Sequence, residues 1–220
     1  MGLLDTILGR TKPVRANLDA LFALPSAAVT LQSAVGVVAT GNAGVCWKPP
    51  AGQPAQDVQT EIAQLLGIDD DDPGATSPPA ATAAATAATA PPDPPAPGSG
   101  PLRQREDRFG FRWLLLDDPD LDTLVTRVHL VNSTLSDNGW GPQLLCSVFG
   151  FGPGPGSGSD VRHFSLVYLF KRGTFYPFAP DGKEHRDNEL ELRLRAVLGA
   201  DLPVEPDLSR WFPLWELPVS

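Results

Sequence analysis

The chain has 220 residues, 42% of them hydrophobic, and a formal net charge of −9. This length permits one large or two small domains with a real core and no disulfide staple, and the acidic surplus disfavours a nucleic-acid partner. The amino terminus lacks the basic head and apolar core of a secretory signal, and no segment approaches the roughly 18 apolar residues that span a membrane, so a cytoplasmic protein is expected.

Leu3, Leu4, Ile7 and Leu8 share one side of a short opening segment, marginal as a helix alone, that either packs on the domain or docks on a partner. Pro13 opens a second helix, with Val14, Leu18, Leu21 and Phe22 on its apolar face and Pro25 ending it. Short β-prone runs follow at Ala28–Gln32, Val35–Thr40 and Gly44–Lys48, the last two joined by a hairpin turn at Gly41-Asn42. Val58, Ile62, Leu65 and Leu66 mark a further helix, stopped by Gly67. Residues 1–68 therefore read as an α-βββ-α lobe too small to be stable alone. Composition then breaks: residues 67–100 carry five acids and no base, and from Gly74 to Pro101 there is no aromatic or large aliphatic side chain to offset ordering entropy. Residues 69–104 read as a disordered acidic linker rich in Ala, Thr and Pro.

Residues 105–220 read as a β-α-β-ββ-α lobe. Within Arg108–Asp117, Phe109, Phe111, Trp113 and Leu115 alternate as in a half-buried strand. Asp118 is placed as the N-cap of the next helix with Pro119 at its first position; Leu121, Leu124, Val125, Val128, Val131 and Leu135 form one stripe, and Asn138-Gly139 ends it. Gln143–Phe151 is a covered strand, and His163–Phe170 turns at Arg172-Gly173 into Thr174–Phe178 as a hairpin. Asn188–Leu198 fits both strand alternation and a helical face; the Glu189–Arg193 and Glu191–Arg195 pairs and Gly199 decide for helix. The tail Trp211-Phe212-Pro213-Leu214-Trp215 is too apolar for a free end and is expected to fold back over the core. The fold class is α+β: a mainly antiparallel sheet flanked by helices, in two pseudo-similar lobes packed together.

No reaction follows from the candidate groups. The glycines from Gly150 to Gly158 follow a strand, but Pro153 and Pro155 remove amide donors that a phosphate loop needs. Asp120 and Asp122 serve a helix start. His129, His163 and His185 have no metal-ligand spacing with one another or with the cysteines, and no cofactor is implied. Cys46 and Cys146 sit in β-prone runs and read as small buried hydrophobes. The enzymatic alternative is a small hydrolase or thiol enzyme built on Cys146, His163 and Asp120. The binding alternative is an apolar groove near Trp140, Tyr176, Trp211 and Trp215, with Leu3, Leu4 and Ile7 as a second contact.

Several strings carry a family resemblance: Met1-Gly2-Leu3-Leu4-Asp5, Asn17-Leu18-Asp19-Ala20-Leu21-Phe22-Ala23-Leu24-Pro25-Ser26, Val131-Asn132-Ser133-Thr134-Leu135, Gln143-Leu144-Leu145-Cys146-Ser147-Val148-Phe149, Tyr168-Leu169-Phe170-Lys171-Arg172-Gly173-Thr174-Phe175-Tyr176-Pro177-Phe178 and Arg210-Trp211-Phe212-Pro213-Leu214-Trp215. In these the chain resembles the PspA-associated protein PspAB family. The resemblance implies an actinobacterial-type, cytoplasmic, non-catalytic accessory of the phage-shock envelope-stress response. Its implied partners are a PspA-type coiled-coil protein and a membrane zinc protease. In architecture the expected lobes are also similar to secretion-chaperone and YbjN-like folds.

Overall fold

A computed structural model describes residues 16–48, 102–157, 162–182 and 184–215, with positions 50, 60, 61, 64 and 217. Leu3, Leu4, Ile7, most of the helix expected at Val58–Leu66 and the linker up to residue 101 lie outside the described residues.

A 3-10 turn, Leu18–Ala23, leads into helix α1, Leu24–Val35. Pro25 lies in its first turn, where a missing N–H costs nothing, so it opens a helix instead of ending one. The run Ala28–Gln32, expected as a strand, is helical: Leu24, Ala27 and Leu31 at helical spacing are fully buried, and that stripe outweighs the local β preference of Val29 and Thr30. Gly36, at φ +77°, ends the helix. The 18 residues Leu18–Val35 have a mean hydropathy of 1.4, long and apolar enough to cross a membrane by length and composition, contrary to the sequence expectation. In the fold their Leu21, Leu24, Ala27 and Leu31 side is core.

Strand β1, Val37–Trp47, is continuous where two strands and a hairpin were expected. Gly41-Asn42 makes a bulge: the register against the neighbouring strand shifts between Ala39 and Ala43. Gly41 has φ +82°, an added Cβ would lie 2.9 Å from the Asp118 carbonyl oxygen, and its own carbonyl accepts from the Asp118 N–H at 2.8 Å. Only glycine meets these demands without displacing the next segment.

The remaining elements are β2 (Arg103–Glu106), β3 (Arg112–Asp117), α2 (Leu121–Leu135), β4 (Leu144–Pro153), β5 (Phe164–Leu169), β6 (Thr174–Phe178) and α3 (Asn188–Leu198). With β1, these five strands form one six-stranded sheet in the order β2-β3-β1-β4-β5-β6, antiparallel at every step. The α+β class and antiparallel sheet are as read, but the two expected lobes share this sheet. Strand β1 is bonded to β3 on one side and β4 on the other, so it inserts into a split β-α-β unit and builds no three-stranded sheet of its own. Arg103 and Gln104, assigned to the linker, belong to edge strand β2. The cap of α2 is Asp120, whose carboxylate accepts from the Thr123 N–H at 2.8 Å. Asp118, the expected cap, is held by Gly41 and accepts from the Asp120 N–H at 2.9 Å, which delays the helix by two residues. The helix ends through a wide turn, Ser136–Trp140, with Gly139 at φ +91°.

The helices cover one face of the sheet. Leu24 and Leu31 of α1, Leu124, Val128 and Leu135 of α2, and Leu194 and Leu198 of α3 join Val45, Trp47, Leu114, Phe149, Leu166 and Phe175 in the main core. Alternation sends Cys46, Trp113, Cys146, Val148, Val167, Tyr176 and Phe178 to the other face, where Trp211 of the tail packs.

Candidate functional site: a cavity on the second sheet face

The register across the sheet sets the floor. Trp113 of β3 stands opposite Cys46 of β1, Cys46 opposite Cys146 of β4, and Cys146 opposite Leu169 of β5. Above this row lies a cavity of about 460 Å³, within the range of small-molecule and side-chain pockets.

Two segments wall it. One is the turn before β3, folded around the Asp107 carboxylate: one oxygen accepts from the Phe109 and Phe111 N–H groups at 2.9 and 3.0 Å, the other from Trp113 Nε1 at 3.0 Å. This presents Phe109 and Phe111 to the cavity, with the Lys48 ammonium at the mouth, 5.6 Å from the Phe111 ring centre. The strand expected over Arg108–Asp117 begins only at Arg112 because Asp107 turns the chain back.

The other wall is the tail, which folds back as expected. Tyr176 donates its hydroxyl to the Phe212 carbonyl at 2.8 Å, and the Trp211 ring stacks on Tyr176 at 5.9 Å. Burial pushes the Tyr176 phenol well above its ordinary range, so it remains a donor. Trp215 meets the Phe178 ring edge-on at 5.4 Å. Upstream, the fully buried Glu205 ties the tail to the β5–β6 hairpin by accepting from Arg172 Nε at 2.5 Å and Thr174 Oγ1 at 2.7 Å.

Burial opposes ionisation of Glu205, but the Arg172 and Thr174 hydrogen bonds prevail and hold its carboxyl below the usual range. A depressed carboxylate contributes stability that is complete above its unfolded pKa, about 4.3, and is lost as pH falls through the lower folded value. Tryptophan fluorescence is therefore expected to stay native down to about pH 4 and to shift below it as the tail detaches. The Glu205→Gln variant should lack that acid step; an unchanged step would assign it elsewhere.

Of the residues chosen from sequence, Tyr176 and Trp215 line this cavity and Trp211 supports them. Trp140 does not join them: it is buried on the helical face, edge-on to Trp47 at 5.8 Å. The enzymatic trio does not converge either. Cys146 is on the floor, whereas His163 is exposed beside Gly152, roughly 20 Å farther along β4 at strand rise, and lines a separate, smaller cavity. Asp120 caps α2. Among the described residues no group of three His, Cys, Asp or Glu could hold a metal ion. Sequence reasoning missed Cys46, Asp107 and Lys48; the signal for Asp107 was an acid closing a turn before alternating aromatics.

Comparison with curated proteins and with solved structures gave no match. A family model does match, described as PspA associated protein B, over residues 1–219. With that match running through both parts of the sequence that build the shared sheet, the chain belongs to the PspAB family.

Proposed function

We propose that this chain is a non-catalytic accessory protein of a PspA-type envelope, or phage-shock, stress response, acting on the cytoplasmic side by binding a helical segment of its partner. The observation that carries this reading is the PspA-associated family match along the chain. The cavity supplies a docking mode. Its aromatic lining and sheet floor suit the large apolar side chains that an amphipathic helix presents at i, i+3 and i+4. Phe109 and Phe212, 54% and 58% exposed, form the rim, and Lys48 favours a partner with an acidic residue beside its apolar anchor. Leu3, Leu4 and Ile7 provide a second contact in this reading.

The test is recovery of a purified PspA-type coiled-coil protein on the immobilised full chain and on a chain lacking residues 1–12. Stoichiometric recovery on the full chain and weaker recovery on the shortened one is expected. Equal recovery on both removes the amino-terminal contact, and no recovery on either overturns the accessory reading.

A further inference from the structure

The only two cysteines of the chain, one hundred positions apart, meet face to face in the sheet. We propose that Cys46 and Cys146 form a reversible disulfide, a modification site on the cavity floor that oxidants of the peroxide class convert.

Directly opposed residues of an antiparallel pair have Cα atoms about 4.5 or 5.5 Å apart, and both spacings fall inside the roughly 4.4–6.8 Å window of disulfides. Both side chains point to the same face of the sheet, and both thiols are free. No strand has to move past another to join them. The register irregularity between Cys46 and Trp47 also gives β1 local freedom to adjust.

Access comes through the cavity, since both residues line it. The neighbouring Cys146 thiol, followed by burial, pushes the Cys46 thiol well up, which lowers its thiolate fraction and slows attack on every oxidant, so conversion needs sustained exposure. Hydrogen peroxide is small and uncharged and can enter. One thiol gives up its proton and attacks a peroxide oxygen; the O–O bond breaks, leaving a sulfenic acid and one water. The second thiol then attacks the sulfenic sulfur, the S–S bond forms, and a second water leaves. Two thiols thus lose two protons and two electrons to one peroxide. Both residues line the cavity, so a small thiol that enters it can attack one sulfur of the bridge and reverse it by exchange. The bridge lies beside Trp113, opposite Cys46 on β3, so its formation should quench tryptophan emission. None of this depends on the docking reading; either can fail alone.

The experiment treats the reduced full chain with hydrogen peroxide and follows intact mass, free thiols, a non-reducing peptide map and tryptophan emission. Expected are a loss of about 2 Da, disappearance of both thiols, one peptide linking Cys46 to Cys146 within a single chain, lower emission, and full reversal by dithiothreitol. Cys46→Ser and Cys146→Ser should each gain oxygen on the remaining sulfur instead of losing mass. The wild-type peptide map decides the matter even if a variant folds poorly. Oxygen addition at either cysteine without the cross-link, bridges only between chains, or thiols that stay unreacted would each overturn the proposal.

Discussion

Arg186→Ala is expected to lower stability by about 3–5 kcal/mol, the usual cost of stranding one member of a buried ion pair. Arg186 donates to both oxygens of Glu191 on α3, at 3.0 and 2.8 Å, and to the Trp211 carbonyl at 2.5 Å, while its guanidinium lies 5.3 Å from the Phe178 ring centre. Glu191 is 2% exposed and keeps one other donor, the Ala179 N–H at 2.9 Å. Alanine at 186 leaves that carboxylate buried with one of these three hydrogen bonds and frees the tail at Trp211. For a chain of this size the loss corresponds to a fall in melting temperature on the order of 10 °C, measurable by calorimetry. Pairing Arg186→Met with Glu191→Met should restore part of it, because the apolar pair strands no charge. A loss below about 1 kcal/mol in the single variant would show that this side-chain chain does not hold the tail.

Trp215→Ala is expected to weaken binding of the PspA-type partner roughly 30-fold, about 2 kcal/mol, as a large aromatic lost from an interface does. Trp215 is half-buried on Phe178, and Phe212 beside it is exposed, so the sheet beneath survives the substitution. Trp140→Ala makes the contrast: it opens a hole on the helical face and should cost about 3–5 kcal/mol of stability with no selective effect on affinity. Titration calorimetry on the Trp215→Ala and Trp140→Ala variants separates these outcomes. If Trp215→Ala binds like the parent chain, the cavity is not the docking site.

Where the chain's own neighbours decide structure, the sequence was readable. Strand β4, the hairpin Phe164–Phe178 with its Arg172-Gly173 turn, the stripe of α2 and the returning tail all follow from periodicity and turn residues over a few positions. Errors gathered where a distant partner rules. Ala28–Gln32 is β-prone by composition yet helical because Leu24, Ala27 and Leu31 are buried together. Gly41-Asn42 has hairpin chemistry, but Asp118 captures the Gly41 carbonyl and the strand continues through a bulge. The cavity was half visible: Tyr176 and Trp215 stood out as aromatics near a hairpin and an apolar tail, and Trp140 was grouped with them because spacing cannot tell which side of a sheet a turn residue will face. The meeting of Cys46 with Cys146 depends on register between remote strands, which no local pattern encodes.

The placement of β1 also governs how the molecule can be assembled. With that strand withheld, β3 and β4 border an empty lane whose amides and carbonyls have nothing to pair with, and the apolar side chains beneath it are uncovered. The later part of the polypeptide is therefore a receptor awaiting its own leading piece. Supplied as two separate fragments, one ending after Trp47 and the other starting before Arg103, the chain should reconstitute by strand complementation, and neither fragment should stay monomeric and soluble by itself.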